Sequence, residues 1–182
     1  MGGTFDPIHL GHLRAAETAR EALQLDQVLF VPAGQPPHRD APKASAPDRF
    51  AMVGLAAGER AGFVASDVEL RREGPSYTVD TLGSLRGSCP GAELVLIVGS
   101  DTFPEMRGWR DSERVFALSQ VAVVARPGAA PPTTAARVTC VSGPSLEVSS
   151  SAIRELLRQR KSVRYLVPAP VADYIEQRGL YR

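Results

Sequence analysis

The run Gly2-Gly3-Thr4-Phe5-Asp6-Pro7-Ile8-His9-Leu10-Gly11-His12 decides the fold and contains two of the chain's three histidines. Its glycines allow positive backbone dihedrals and close approach of a ligand, and Asp-Pro is typical of a turn. The run therefore predicts a tight loop that enters a helix at Leu10. The start of a helix attracts phosphate through its N–H groups and its dipole. Because His9 and His12 share one side of the first turn, they can donate to the same anion.

The composition is that of a globular protein. The chain has 182 residues, 43% of them apolar, and no proline-, serine- or charge-rich linker, so we expect one domain over residues 1–182. Its 21 basic and 20 acidic residues give a net charge of +1, which argues against nucleic-acid and membrane partners. The sequence has no long apolar run, signal peptide or paired cysteine spacing, so we expect a cytoplasmic protein without a disulfide framework. The sequence does not decide whether the protein forms a homo-oligomer.

Apolar runs typical of strands alternate with helical patterns, which predicts a parallel sheet covered by helices. The predicted strands are Gln27–Pro32, Phe63–Val68, Glu93–Val98, Gln120–Ala125 and Arg137–Val141. The predicted helices are Leu10–Leu23, Asp48–Glu59, Thr78–Leu85, Asp111–Leu118, Ser149–Gln159 and a last one between Pro168 and Gly179. Residues Ala129–Ala136 are predicted to form a loop. Only Met1–Phe5 precede the first helix, which is too short for a strand and a turn.

Further motifs follow the opening run in a defined order. They are Val31–His38, which ends in Pro-Pro-His; Pro75–Leu82, which contains Ser-Tyr-Thr; Ile97–Asp101, which ends in Gly-Ser-Asp; Val148–Arg154, with three serines before Ala-Ile-Arg; and the end Tyr174–Tyr181. With His-x-Gly-His, these motifs make the chain resemble the bacterial nicotinate-nucleotide adenylyltransferases, in the wider nucleotidyltransferase superfamily. The resemblance implies a doubly wound, Rossmann-like α/β domain with helices on both faces of a parallel sheet. It also implies an apolar central strand before Gly2 that is missing here, so we expect about five to eight further residues upstream of Met1.

The resemblance implies that the protein joins ATP to nicotinate mononucleotide and releases pyrophosphate, forming the dinucleotide precursor of NAD. The attacking group is then a phosphate monoester, which is mostly dianionic at neutral pH, so no general base is required. The protein has to hold two anions in line and to stabilise charge on the α-phosphate and the departing pyrophosphate. Mg²⁺ is expected as a cofactor held mainly by phosphates and water, since few carboxylates lie near these motifs.

The resemblance also assigns residues to the two substrates. His12, with His9 beside it, is expected to contact the α-phosphate in the transition state. The other expected ATP contacts are Gly2, Gly3, Thr4, Phe5, Gly99, Asp101, Ser149, Ser150, Ser151 and Arg154. The serines and Arg154 would hold the β- and γ-phosphates, and Asp101 would accept from a ribose hydroxyl. The expected contacts of nicotinate mononucleotide are Thr4, His38, Tyr77, Thr78, Trp109 and Arg110. Trp109 would stack on the pyridine ring, with Thr78 near the nicotinate carboxylate.

Three other functions remain open from the residues. The acceptor could be nicotinamide mononucleotide or phosphopantetheine, although Thr78 and Trp109 favour nicotinate. His9, His12 and His38 could form a three-histidine zinc site of a hydrolase. A module that senses nucleotides without turnover would bind ATP and release no pyrophosphate.

Overall fold

A computed structural model of the chain describes residues 1–37, 41–125 and 137–182. Within these ranges the strands are β1 (Gly2–Gly3), β2 (Val28–Pro32), β3 (Phe63–Ala65), β4 (Val95–Gly99), β5 (Gln120–Val124) and β6 (Val138–Val141). The α-helices are α1 (Leu10–Leu23), α2 (Ala46–Ala57), α3 (Thr78–Ser88), α4 (Ser112–Leu118), α5 (Ser150–Arg158) and α6 (Ala169–Arg178). A 3₁₀ helix spans Phe103–Gly108.

The strands pair in parallel and form two sheets, with the orders β1-β2-β3 and β4-β5-β6. A cleft of about 1490 Å³ lies between them, and both β1 and β4 line it. The strand order therefore changes direction at this cleft. Ligands of such folds bind where the order reverses, beyond the carboxyl ends of the strands.

The front of the chain contains a strand that the sequence did not predict. Gly2 lies opposite Val31 and Gly3 opposite Pro32. The amino group of Met1 extends the pairing by donating to the carbonyl oxygen of Leu29 at 2.8 Å. The expectation that Met1–Phe5 leave no room for a strand was wrong, because pairing with β2 keeps even two residues extended. The expectation of residues upstream of Met1 stays a prediction.

Side chains along β4 and β5 alternate between two apolar cores. Ile97 and Ala122 belong to the core that is also built from α1, α2, α5 and α6. Leu96 and Val121 belong to the core that includes residues of α3 and α4. Since successive side chains of a strand point to opposite faces, these helices cover both faces of the sheet. The arrangement confirms the predicted doubly wound α/β fold.

The predicted strands and helices are all present, and their boundaries differ by a few residues. The strand at Phe63 ends at Ala65 rather than Val68, because the chain turns at Asp67, whose carbonyl accepts from the N–H of Leu70 at 2.8 Å. The 3₁₀ helix was not predicted. The predicted loop Ala129–Ala136 lies outside the described residues. Among the helices described, none is long and apolar enough to cross a membrane.

Candidate active site

The cleft brings together the residues that the sequence assigned to the two substrates. Apart from His38, which lies outside the described residues, every one of them lines it. They come from three places: the loop between β1 and α1, the start of α5, and the segments around α3 and the 3₁₀ helix. Gly2 and Arg154, which are 152 positions apart in sequence, therefore share one cavity.

The loop after β1 differs from its prediction in backbone geometry. Gly2 and Gly3 are extended, and the positive φ occurs instead at Phe5, at 50°. Phe5 is 2% exposed, and its ring packs edge-on against the ring of His12 at 5.0 Å. A Cβ on Gly3 would lie 3.1 Å from the Phe5 ring. Phe5 therefore supports His12 with its side chain and has little beyond its backbone to offer a nucleotide.

The two histidines of the first turn form a stacked pair. Their ring centroids are 3.7 Å apart, and the rings are inclined by 23°. The backbone N–H of His9 donates to Nδ1 of His12 at 3.3 Å. Since an acceptor nitrogen carries no proton, neutral His12 has its ring proton on Nε2. Gly11 makes room for the pair, because a Cβ there would lie 3.0 Å from Nδ1 of His9.

The start of α5 is docked on the loop after β1. Ser149 is the N-cap, and its Oγ accepts from the N–H of Ala152 at 3.2 Å. Ser150 donates to the carbonyl oxygen of Pro7 at 2.9 Å, and Arg154 donates through Nη1 to the carbonyl oxygen of Asp6 at 2.7 Å. The Oγ atoms of Ser149 and Ser151 are 3.1 Å apart. Ser150 thus has a structural partner, whereas the helix start as a whole still faces the cleft.

On the opposite wall, Ser76 joins the loop after β2 to the start of α3. Its Oγ accepts from the N–H groups of Gly34 at 2.9 Å and Gln35 at 3.3 Å. Its own N–H donates to the carbonyl oxygen of Gln35 at 2.9 Å. Tyr77 is the N-cap of α3 and Thr78 its first residue, so the amides of Thr78 and Val79 have no carbonyl four residues earlier within the helix. The N–H of Asp80 already donates to the carbonyl oxygen of Tyr77 at 3.1 Å. This wall can accept an anion such as a carboxylate.

Trp109 and Arg110 follow the 3₁₀ helix and lie near the start of α3. Trp109 is half-buried and packs against the core that includes α3. The guanidinium of Arg110 lies over the ring of Tyr77, 4.7 Å from its centroid, and 3.8 Å from a carboxylate oxygen of Asp80. Trp109 thus packs against a core and Arg110 against Tyr77, while both residues line the cleft. The stacking of Trp109 on a pyridine ring stays a prediction.

Two buried polar side chains beneath the site were missed by sequence reasoning. Arg49 of α2 is 1% exposed and donates to the carbonyl oxygens of Thr4 at 2.8 Å and Gly34 at 3.4 Å. Burial lowers the pKa of its guanidinium. Glu69 is 7% exposed and accepts from the hydroxyl of Thr81 at 2.6 Å. Neither residue stands in a glycine- or histidine-rich motif. Arg49 lies on α2 and Glu69 in the turn after β3, and a charged residue at either kind of position is ordinarily exposed.

The described residues offer no ready-made metal site. Within residues 1–37, 41–125 and 137–182, no three His, Cys, Asp or Glu side chains are grouped so as to hold a metal ion. The carboxylate of Asp6 is already engaged by the N–H groups of Lys43 and Ala44. The walls instead carry N–H groups, hydroxyls and a guanidinium, which suit a triphosphate.

Comparison of the sequence with known proteins identifies relatives along the whole chain. The family described as cytidylyltransferase-like matches residues 1–156. The chain is similar to the probable nicotinate-nucleotide adenylyltransferase of Thermus thermophilus, with 46% identity over 100% of this chain and 97% of the relative. It is also similar to the probable nicotinate-nucleotide adenylyltransferase of Geobacter metallireducens, with 41% identity over 100% of this chain and 96% of the relative.

Solved structures share the fold. One is the Plasmodium falciparum nicotinic acid mononucleotide adenylyltransferase complexed with NaAD, with a TM-score of 0.81, 18% identity, and coverage of 99% of this chain and 94% of that one. Another is a putative nicotinate-nucleotide adenylyltransferase from Vibrio parahaemolyticus, with a TM-score of 0.72, 21% identity, and coverage of 100% and 92%. At these identities the likeness concerns the fold.

Proposed function

Because this chain belongs to the nicotinate-nucleotide adenylyltransferase family, we propose that it transfers the adenylyl group of ATP to nicotinate mononucleotide. The products are nicotinate adenine dinucleotide and pyrophosphate. The observation that carries the proposal is the meeting, in one cleft, of the His9–His12 pair, the start of α5 with Arg154, and the start of α3 with Trp109. The first two suit a triphosphate, and the third suits an aromatic carboxylate.

In this proposal the protein accelerates the reaction by positioning the two substrates and by stabilising the charge that develops. The phosphate of the acceptor nucleotide is mostly a dianion at neutral pH and attacks the α-phosphate of ATP without a general base. The bond between the α-phosphorus and the oxygen that bridges to the β-phosphate breaks, and this oxygen leaves with the pyrophosphate and carries the negative charge. Nε2 of His12, the protonated nitrogen of the neutral ring, donates to the α-phosphate as charge develops.

The triphosphate lies against the start of α5 in this proposal. Ser149 and Ser151 contribute hydroxyls, Arg154 contributes its guanidinium, and the helix dipole adds positive potential. Arg154 is suited to this role because its side chain is 27% exposed while Nη1 is anchored on the carbonyl of Asp6. A guanidinium fixed at one end loses less conformational entropy when it binds phosphate.

The acceptor nucleotide lies against the start of α3. The N–H groups of Thr78 and its neighbour in the first helical turn meet the nicotinate carboxylate, and Trp109 stacks on the pyridine ring. Ser76 keeps this helix start at a fixed distance from the Gly34 loop. The uncharged amide of nicotinamide would bind less well here, because a hydrogen bond to a charged group is stronger than one to a neutral group.

Mg²⁺ fits this site as an ion that arrives with ATP. The donors on the cleft walls are those of an anion site, and Asp6 is engaged by backbone N–H groups. When bound, Mg²⁺ neutralises part of the charge on the phosphates. The residues of this chain then bind and orient the complex.

An omission experiment tests the proposal. Pyrophosphate release should require ATP, Mg²⁺ and nicotinate mononucleotide together, with nicotinate adenine dinucleotide formed in equal amount. ATP binding without pyrophosphate release in the complete mixture would support a nucleotide sensor and overturn the proposal. Pyrophosphate release that needs phosphopantetheine instead would assign a different acceptor.

A further inference from the structure

The carboxylate of Asp6 is a point where three distant parts of the chain meet. Its Oδ2 accepts from the N–H of Lys43 at 2.8 Å, and its Oδ1 accepts from the N–H of Ala44 at 3.0 Å and from the hydroxyl of Tyr181 at 2.8 Å. Asp6 is 5% exposed, so these donors replace water almost completely. A buried carboxylate that loses a donor must find another, because leaving it unsatisfied is costly.

One further donor close to this carboxylate is the guanidinium of Arg154. Its Nη1 lies 3.8 Å from Oδ2 of Asp6, beyond hydrogen-bond distance, while it donates to the carbonyl oxygen of the same residue at 2.7 Å. A small movement would convert this ion pair into a direct hydrogen bond. That hydrogen bond would hold the guanidinium on the side chain of Asp6.

Tyr181 is held in place by the turn that follows α6. Gly179 ends α6 in the left-handed region, at φ 61°, and the N–H of Leu180 donates to the carbonyl oxygen of Ile175 at 3.0 Å, so the chain turns back to the site. Tyr181 itself has a φ of 65°. Burial, with the charge of Asp6, raises the pKa of its phenol, so the hydroxyl stays protonated and donates.

We propose that Tyr181 is a positioning residue that satisfies the Asp6 carboxylate and thereby leaves the guanidinium of Arg154 available to the phosphates of ATP. This inference rests on the proposed function, since it takes Arg154 to be a ligand of ATP. Tyr181 itself does not touch the substrate. The segment after α6 thus becomes part of the active site through one hydrogen bond.

The test compares two tyrosines of the same region. Tyr181→Phe removes the hydrogen bond to Asp6, and Tyr174→Phe removes the matching hydrogen bond of Tyr174 to Asp48, at 2.9 Å. We expect similar losses of thermal stability. Only Tyr181→Phe should raise the KM for MgATP, by roughly tenfold, which is the size expected for one hydrogen bond to a charged group. The KM for nicotinate mononucleotide should not change. Equal kinetic constants in the two variants would overturn the proposal.

A double-mutant cycle separates positioning from a general structural effect. In an Arg154→Ala background, Tyr181→Phe should cause no further loss of ATP affinity, because the residue on which it acts is gone. An additive effect would contradict the proposal. If Tyr181→Phe does not fold, a Tyr181→Phe, Asp6→Asn double variant, which has no carboxylate to attract Arg154, is compared with Asp6→Asn alone. Equal affinities for the ATP analogue are expected, and a weaker affinity of the double variant would contradict the proposal.

The cycle is measured by titration with a non-hydrolysable ATP analogue as well as by turnover. If the wild-type protein forms no dinucleotide, the proposed function fails. The titration then still reports whether Tyr181 acts through Arg154. A Tyr181 effect on analogue affinity that disappears in the Arg154→Ala background supports the inference in either case.

Discussion

His12 shows how one backbone contact can prepare a side chain for chemistry. Its Nδ1 accepts from the N–H of His9, so the proton of the neutral ring is on Nε2. The ring is held from two sides, by the stacked His9 and by the edge-on Phe5. A donor that is already oriented costs little reorganisation when charge develops on a phosphate.

Replacing His12 tests this role. His12→Ala should lower kcat by at least about a hundredfold, since the loss of one donor to developing charge costs about 3 to 4 kcal/mol. Circular dichroism and the melting temperature should show an intact fold. Arg14→Ala, on the same helix, is the control, because Arg14 binds Thr18 and Glu21 of its own helix. A near-normal rate for His12→Ala would remove His12 from the mechanism.

Gly34 is a second position where a single residue type is required. A Cβ there would lie 2.8 Å from the carbonyl oxygen of Glu69, so the backbone would have to shift. Gly34→Ala should lower the free energy of unfolding by about 1 to 3 kcal/mol. Gly83, inside α3, has no atom within 4 Å of the corresponding Cβ, so Gly83→Ala should raise the free energy of unfolding by about 0.5 to 1 kcal/mol. Urea unfolding of both variants measures the contrast, and equal stability would refute the steric argument.

At the scale of elements, α2 and α6 are joined through one carboxylate. Asp48 of α2 accepts from the hydroxyl of Tyr174 at 2.9 Å and from Nε of Arg178 at 3.3 Å, both on α6. The hydrogen bond from Ser45 is the largest cause of a lowered pKa of Asp48, followed in the same direction by Tyr174 and the charge of Arg178, against the opposing effect of burial. This contact fixes α6, which leads into Tyr181.

The lowered pKa of Asp48 gives the stability a defined pH dependence. A carboxyl group with a lowered pKa in the folded protein stabilises it above the ordinary value of about 3.9 and loses that effect as pH falls through the lowered value. Asp48→Asn should therefore reduce the free energy of unfolding by about 1 to 3 kcal/mol at pH 7, and by clearly less near pH 3.

Chemical denaturation at the two pH values measures this difference. The control is Asp67→Asn, which removes an exposed ion pair with Arg71 and should change stability by less than about 1 kcal/mol. A stability loss for Asp48→Asn that is the same at both pH values would contradict the assignment of the ionised carboxylate.

At the scale of the whole molecule, local patterns predicted the elements, and long-range contacts determined the rest. The continuous apolar run along β5 and the serine cap of α5 placed both elements within one residue of their observed ends. The extended Gly2–Gly3 depends on pairing with β2, and glycine by itself does not reveal that partner. The residues assigned from the motif that ends at His12 and from the serines that begin α5 all line the cleft.

The buried contacts beneath the site could not be predicted from motifs in the same way. Arg49 looks like a solvent-facing residue of an amphipathic helix, yet it is buried under the loop after β1. The contact of Ser150 with Pro7 and that of Tyr181 with Asp6 join residues more than 140 positions apart. Such pairs depend on how the two ends of the chain pack against each other. Composition and periodicity do not predict that packing.

At the scale of the whole molecule, our central inference is that one wall of the cleft binds ATP and the other binds an acceptor that carries nicotinate. The most direct test is kcat/KM for nicotinate mononucleotide and for nicotinamide mononucleotide, measured with saturating MgATP. We predict a preference of at least about tenfold for the nicotinate form, because its carboxylate adds a charge-assisted hydrogen bond at the start of α3. Equal kcat/KM values for the two acceptors would contradict the account.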